Sequence, residues 1–219
     1  KMAIDVLKEL ESAGSVLLDR HFVYVSGKHG SGYVNTDPIF PNVKLMAQLC
    51  ELLVEPFVGQ VDTVAAPATG GIVLSVLAGN ALSTKGYEVA SVWADKTEQR
   101  DFIFDRAGFV EQIRGKRVLI VEDLLTTGGS VEKVARHIEA NGGTIVAVSA
   151  ICNRGNVTAQ DLSVPELKSL VNVQFSAEPE ESCSLCANNV PIVEDIGHGG
   201  KYKADHPHYA GGYIKLLSN

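Results

Sequence analysis

The residues with the clearest chemical signature lie in one uninterrupted stretch, residues 118–130. Four apolar residues come first, and the carboxylates of Glu122 and Asp123 follow them. The stretch then ends in a loop of hydroxyl residues and glycines, namely Thr126, Thr127, Gly128, Gly129 and Ser130. Carboxylates beside a buried strand are costly unless they are paired or used. A glycine-rich loop suits a phosphate, and the acids suit hydroxyl groups, so a sugar phosphate fits the whole pattern.

A strand and a helix must position these groups. The run of four apolar residues predicts a strand buried on both faces of a parallel sheet. Apolar residues at helical spacing after the loop predict a helix, whose N-terminus would face the ligand. Gly128 and Gly129 would let the backbone approach a phosphate closely. In a continuing strand Glu122 and Asp123 would point to opposite faces, so we expect the chain to turn at this pair.

This stretch resembles the phosphoribosyl-diphosphate (PRPP) binding motif of the type I phosphoribosyltransferases. Its Glu-Asp-x-x-Thr-Thr-Gly-Gly-Ser form is most similar to that of orotate phosphoribosyltransferases. The resemblance implies an α/β fold with a Rossmann-like parallel sheet, helices on both faces, a small N-terminal hood and an irregular C-terminal tail. It also implies that Glu122 and Asp123 act in catalysis with Lys96, and that the loop from Thr126 to Ser130 binds the 5-phosphate of PRPP.

A second similarity lies near the N-terminus. The β-prone runs His21–Ser26 and Tyr33–Asp37 flank a glycine-rich link, which predicts a hairpin or paired strands. The pattern His-Phe-x-x-x-Ser-Gly-x-His-x-x-x-Tyr-x-Asn-x-Asp is similar to the hood of the orotate enzymes. The resemblance implies that Lys28, Tyr33 and Asn35 contact the base.

A second strand–loop–helix unit precedes the motif. Val61–Ala66 is a short apolar strand that leads into Thr69, Gly70 and Gly71, and a helical pattern follows. A second anion-binding loop is therefore expected at the same edge of the sheet. In the resemblance this loop binds pyrophosphate. Farther upstream, Asn42 is the expected N-cap of a helix that extends to Phe57.

The segment 95–115 between two core strands is polar and charged. Such a segment is usually a lid or a disordered loop, and we expect a mobile lid that closes over the ligand. In the orotate enzymes a flexible catalytic loop occupies this place. Its cations include Lys96, Arg100 and Arg106, with no histidine, which departs from the family's Arg-Lys pair. The resemblance assigns Lys96 to catalysis and Arg100 to PRPP.

The next predicted strand, Thr144–Cys152, ends just before Arg154. In the orotate family an arginine after this strand contacts the carboxylate of the base, and the first loop hydroxyl contacts the base edge. Arg154 and Thr126 are the residues that match. A last strand is predicted at Leu170–Phe175.

The tail carries Cys183 and Cys186 in a Cys-x-x-Cys pair, followed by His198, His206 and His208. Zinc binding, a redox pair and a purely structural role are all compatible with this pattern. The histidines are irregularly spaced, and a second Cys-x-x-Cys is absent from the sequence. We therefore expect no zinc and no metal bound directly by protein side chains, but Mg²⁺ bridged by the substrate.

Composition limits the partners. The chain has 219 residues and a net charge of −7 without a basic cluster, which argues against nucleic acid. No apolar run reaches the roughly 18 residues of a membrane span, and no signal peptide is evident, so we expect a cytoplasmic protein.

The expected organisation is a phosphoribosyltransferase domain over residues 1–175, with the hood at about 1–40 and the core at about 41–175. Residues 176–219 would form an extension packed on the core. The expected activity is transfer of the phosphoribosyl group of PRPP to orotate in pyrimidine synthesis, by a homodimer. Two alternatives remain: a transferase for a purine or another base, and a PRPP-sensing regulator with the same fold.

Overall fold

The computed structural model describes residues 4–216 as an α/β chain that forms two compact units. The hood-and-tail unit combines Lys1–Pro38 with Gln174–Asn219, and the sheet unit is Ile39–Val173. In chain order the elements are α1 (Val6–Ser12), β1 (Val16–Leu17), β2 (Phe22–Val23), β3 (His29–Gly30), β4 (Tyr33–Val34), α2 (Val43–Val54), β5 (Thr63–Pro67), α3 (Gly70–Ser83), β6 (Ala90–Lys96), β7 (Phe102–Ile103), β8 (Arg117–Leu125), α4 (Gly129–Ala140), β9 (Thr144–Asn153), β10 (Leu167–Asn172), α5 (Ser184–Ala187), β11 (Ile192–Val193), α6 (Gly199–Asp205) and β12 (Tyr213–Ile214).

The sheet unit contains a six-stranded sheet in the order β10-β9-β8-β5-β6-β7. All neighbouring strands are parallel except β7, which pairs antiparallel with β6 at the edge. The motif strand β8 lies between β5 and β9. Because parallel strands share one carboxyl edge, the loops after β5, β6, β8 and β9 open at the same side of the sheet. The predicted α/β architecture is confirmed.

Helices cover both faces of this sheet, as predicted. In β9 the Ser149 hydroxyl donates to the Leu53 carbonyl of α2 (2.8 Å), whereas Val148 and Ala150 belong to the apolar cluster formed with α4. Alternate residues of a strand point to opposite faces, so α2 and α4 lie on opposite sides. The Asn42 side chain caps α2 by accepting from the Leu45 N–H (3.1 Å), which confirms the predicted N-cap.

The hood-and-tail unit consists of short strands. The predicted pairing of 21–26 with 33–37 is wrong: β2 pairs with β3, and β1 pairs with β4. The tail joins these strands, since the N–H of His29 donates to the Glu178 carbonyl (2.8 Å) and the N–H of Val193 donates to the His21 carbonyl (2.9 Å). We expected an extension packed on the core; the structure places the tail in one compact unit with the hood.

Element ends differ from prediction by a few residues. The apolar spacing of Ile4, Val6, Leu7 and Leu10 predicts a helix over Ala3–Ser12. The helix begins at Val6, and Ala3 lies outside the described residues. The strand predicted at 170–175 is β10, which starts three residues earlier. Within residues 4–216, none of the helices has the length and apolar character needed to cross a membrane.

Candidate active site

The loop between β8 and α4 forms a concave pocket. The pocket is lined by Glu122 and by residues 124–131. Gly128 precedes the first residue of α4, so the N-terminal N–H groups of this helix face the pocket opening. Thr126, Thr127 and Ser130 are exposed or half-exposed around it. The structure thus brings together the five loop residues predicted to bind a phosphate.

The two glycines of this loop have different roles. Gly128 adopts a left-handed conformation with φ of +78°, and a Cβ there would lie 2.5 Å from Leu162 Cδ2. Gly129 has more space, because the nearest atom to an added Cβ is Thr127 Oγ1 at 3.6 Å. The backbone turn therefore requires glycine at 128, whereas Gly129 is compatible with a small side chain.

The acid pair lies within β8. This strand continues to Leu125, so the expectation that the chain turns at the pair is wrong. The two carboxyl groups nevertheless meet and share a side-chain hydrogen bond. Glu122 is 8% exposed and lines the loop pocket. Asp123 lies beside Gly70: a Cβ added to this glycine would be 3.3 Å from Asp123 Oδ2.

Electrostatics distinguishes the two acids. Burial, and secondarily the charge of Asp123 and the hydrogen bond to it, raise the pKa of Glu122 well above its ordinary value. Two carboxylates in contact cannot both be charged without penalty. The surroundings of Glu122 therefore favour its protonated form, and a positively charged ligand would oppose this effect.

The loop after β5 lies beside the acid pair. Thr69 precedes α3, and Gly70 and Gly71 form its first turn. A Cβ on Gly71 would lie 2.7 Å from the Ala66 side chain, so this glycine allows the helix to pack closely on β5. Both glycine-rich loops predicted from the sequence therefore border the same pair of acids.

Arg154 follows β9 and is held against the start of the motif loop. The N–H groups of Arg154 and Gly155 both donate to the Leu125 carbonyl, at 2.9 and 3.1 Å. A Cβ on Gly155 would overlap the Thr126 carbonyl oxygen, at 1.5 Å. Thr126 and Arg154, the two residues of the sheet unit that were predicted to contact the base, are therefore close together. The close approach of the Thr126 carbonyl requires glycine at position 155, which the sequence analysis missed.

The charged segment 95–115 is more ordered than expected. β6 and β7 form a hairpin in which the N–H of Thr97 donates to the Asp101 carbonyl (2.8 Å). Phe102, Phe104 and Ile113 are buried in the apolar cluster of the sheet unit. Part of the segment therefore packs into the sheet unit, while the hairpin tip, residues 98–100, is exposed together with much of the chain from Asp105 to Gly115. The mobility of the segment stays a prediction.

The cations of this segment occupy different environments. Lys96 ends β6 at the carboxyl edge of the sheet and is exposed, and Arg100 lies in the tip with φ of +61°. Arg106 pairs bidentately with Asp95 at 2.8 and 3.2 Å and lies over the Trp93 ring. Arg106 is therefore part of the hairpin base and is paired, whereas Lys96 and Arg100 are exposed nearer the hairpin tip.

The predicted base contacts of the hood lie in the hood-and-tail unit. The Tyr33 ring is half-buried against Phe22, with ring centroids 5.5 Å apart. The Asn35 side chain accepts from the N–H of Asp37 (3.1 Å), and Lys28 is exposed in the turn between β2 and β3. Their assignment to the base stays a prediction.

The cysteines of the tail meet two histidines of the hood, not those of the tail. We call these four residues the Cys/His cluster: His21, His29, Cys183 and Cys186. Burial lowers the pKa of both histidines, whereas burial and then the Cys183 thiol raise the pKa of Cys186 to about 12. The sequence analysis missed His21 and His29, because no local spacing connects residues about 160 positions apart.

The tail histidines lie elsewhere. The His206 ring stacks on Tyr202, with ring centroids 4.2 Å apart. His198 occupies the N-cap position of α6, and His208 is exposed. The irregular spacing of these histidines is therefore no guide to what the two cysteines bind.

Comparison with known proteins identifies the family. The profile of the Phosphoribosyl transferase domain matches residues 42–180. An orotate phosphoribosyltransferase of Caldanaerobacter subterraneus subsp. tengcongensis is 34% identical over 196 residues, which cover 87% of this chain and 94% of that protein.

Solved structures agree on the fold. The orotate phosphoribosyltransferase of Aeropyrum pernix has a TM-score of 0.59 at 22% identity, covering 75% of this chain and 93% of that one. The adenine phosphoribosyltransferase of Thermoanaerobacter pseudethanolicus has a TM-score of 0.57 at 21% identity, covering 76% of this chain and 99% of that one. The chain therefore belongs to the phosphoribosyl transferase family, and over most of its length it is similar to the orotate members of that family.

Proposed function

We propose that this protein transfers the 5-phosphoribosyl group of PRPP to a ring nitrogen of orotate, forming orotidine 5'-monophosphate and pyrophosphate. The observation that carries the proposal is the acid pair of β8 between two glycine-rich loops, with Arg154 held at the start of one of them. The similarity to proteins named orotate phosphoribosyltransferase supports the choice of base.

The loop from Thr126 to Ser130 would bind the 5-phosphate. Hydroxyl groups and backbone N–H groups surround this pocket, and the N-terminus of α4 adds a favourable dipole. Thr69, Gly70 and Gly71 would bind pyrophosphate at the neighbouring helix N-terminus. The acid pair between the two loops would then lie next to the ribose.

Glu122 and Asp123 would hold the ribose 2- and 3-hydroxyls. As the bond to pyrophosphate breaks, the sugar gains oxocarbenium character, and the negative potential of the pair stabilises that charge. The chain's main contribution is to orient the ribose and to oppose its positive charge.

Magnesium fits this site as an ion bridged by the substrate. Carboxylate and hydroxyl oxygens are the ligands that hard cations prefer, and the acid pair is the acidic group beside both loops. When bound, Mg²⁺ neutralises the charge of pyrophosphate, which otherwise repels a protein with a net charge of −7.

The β6–β7 hairpin would supply the remaining cations. Lys96 is proposed to act on the leaving pyrophosphate, and Arg100 to bind PRPP. Both side chains are exposed. Closure of the hairpin over a ligand would exclude water, which would otherwise hydrolyse PRPP.

Two groups of residues are proposed to bind the base. Arg154 offers a planar fork for the orotate carboxylate, and Thr126 a hydroxyl for the base edge. The resemblance to the orotate enzymes also assigns Tyr33, Asn35 and Lys28 of the hood to the base. We also propose that the protein is a cytoplasmic homodimer that has no nucleic-acid or membrane partner.

The test is pyrophosphate release from PRPP with orotate, uracil, adenine, guanine and xanthine as acceptors. We expect orotate to be the fastest acceptor. A faster purine would contradict the base assignment and favour the alternative transferase. PRPP binding without turnover of any base would instead favour a PRPP-sensing regulator.

A further inference from the structure

We propose that the Cys/His cluster is a structural zinc site. The cluster lies entirely within the hood-and-tail unit. Its two histidines flank the β2–β3 hairpin, and its two cysteines belong to the Cys-x-x-Cys turn at the start of α5. Two sulfurs and two imidazole nitrogens form a donor set that is typical of structural zinc.

The separations between the ligand atoms fit one tetrahedral ion. All four ligand atoms lie within 4.8 Å of one another. His21 Nε2 is 2.9 Å from His29 Nδ1 and 3.8 Å from Cys183 Sγ, and Cys186 Sγ is 3.2 Å from His29 Nδ1. With Zn–N near 2.0 Å and Zn–S near 2.3 Å, tetrahedral ligands lie roughly 3.3–3.8 Å apart. The atoms therefore need only small shifts to accommodate the ion.

The orientation of His21 supports the same conclusion. Its Nδ1 lies 2.8 Å from the Val190 carbonyl, an acceptor that requires the proton on that nitrogen. The lone pair is then on Nε2, the nitrogen that faces the two sulfurs and His29. Metal-bound histidines in proteins commonly donate their other ring N–H to a backbone carbonyl in this way.

The burial of the cluster indicates a structural ion. His21, His29 and Cys183 are buried, and Cys186 is half-buried. The Tyr202 ring packs edge-on against His29, with ring centroids 5.0 Å apart. Four protein ligands complete a tetrahedral shell and leave no position for a substrate, whereas catalytic zinc sites keep one open.

The hood-and-tail unit has a small apolar core, which a bound ion would stabilise. Its described strands are two residues long, and its apolar clusters are small. Small cores of this kind commonly require a metal or disulfides for stability. Because the ligands come from both ends of the chain, zinc binding would contribute directly to the folding free energy of this unit.

The first test measures the metal content of the wild-type chain by inductively coupled plasma mass spectrometry, after purification without chelator. We expect about one zinc per chain. After zinc is exchanged for Co²⁺, we expect the intense visible absorption of tetrahedral cobalt with thiolate ligands. Because this measurement needs no variant, it decides the proposal even if the substituted chains fail to fold.

The second test compares matched variants. Cys186→Ala and His21→Ala should lose most of the zinc, whereas Cys50→Ala and His208→Ala should keep it, since Cys50 lies in α2 and His208 is exposed. Chelation should lower the melting temperature of the wild type, and Zn²⁺ but not Mg²⁺ should restore it. A chain that stays free of zinc after reconstitution, or a disulfide between Cys183 and Cys186 in the purified protein, would overturn the proposal.

Discussion

At the scale of single residues, the acid pair is the centre of the chemistry. Its two carboxyl groups touch, one of them is buried, and both lie beside glycine-rich loops. Carboxylates beside a buried strand are costly unless they are paired or used. The catalytic role of Asp123 and the effect of Glu122 on stability can be tested with separate variants.

Asp123→Asn should fold normally and lose about 10²-fold or more in kcat, the scale of removing one key electrostatic group. The matched control is Asp62→Asn, which removes a carboxylate that pairs with Arg117 at the opposite end of β8 (2.7 Å). Steady-state kinetics with PRPP and orotate measures both. A wild-type rate for Asp123→Asn would exclude the assigned role.

Glu122 should make stability depend on pH. Its pKa in the folded chain is raised above the unfolded value, so its stabilising contribution is present at low pH and is lost as pH rises through the folded pKa. Glu122→Gln should reduce this loss of stability with rising pH. At alkaline pH the variant should therefore be more stable than the wild type. Urea unfolding at a series of pH values checks this, and parallel pH profiles for the two proteins would contradict it.

Single residues were predictable from the sequence where the chemistry is local. The motif loop and the acids form one continuous run, and Arg154 directly follows a recognisable strand. Gly155 was missed because its requirement comes from the Thr126 backbone, nearly 30 residues away. The histidine partners of Cys183 and Cys186 were missed for the same reason: only the folded chain brings them together.

At the scale of elements, the turn from β8 into α4 depends on one glycine. Gly128→Ala should destabilise the chain by at least about 1–2 kcal/mol, because a left-handed conformation is unfavourable with a Cβ and Leu162 occupies the space. Gly129→Ala should have a much smaller effect. Thermal unfolding and PRPP calorimetry compare the two variants, and equal losses would contradict the distinct roles of these glycines.

The elements were predictable where a periodic apolar pattern was long. The sheet strands and α2 to α4 lie near their predicted positions, because burial enforces these patterns. The hairpin of β6 and β7 was not predicted, because the surface of this segment is charged. Its buried side chains, Phe102 and Phe104, are too few to give a periodic signal, and the tertiary contacts of these residues decide their conformation.

At the scale of the whole molecule, the expected homodimer is a separate prediction. Light scattering should give about twice the chain mass of 23.4 kDa, because in the orotate enzymes that the chain resembles the catalytic loop reaches a neighbouring subunit's site. The expected tip residue for this contact is Arg100, and Arg100→Ala should lower activity without changing the mass. A fully active monomer would contradict the prediction.

The central claim is that the site is built for a carboxylated base, and the most direct test is the ratio of kcat/KM for orotate to that for uracil. Uracil would leave Arg154 without its carboxylate partner, at a penalty of about 2–5 kcal/mol. We therefore predict a preference for orotate of about 30-fold or more in the wild type. Arg154→Ala should remove most of it while PRPP affinity stays nearly unchanged, and the exposed control Arg114→Ala should keep it. A wild-type enzyme that uses uracil as well as orotate, or an Arg154→Ala variant with an unchanged ratio, would contradict the account.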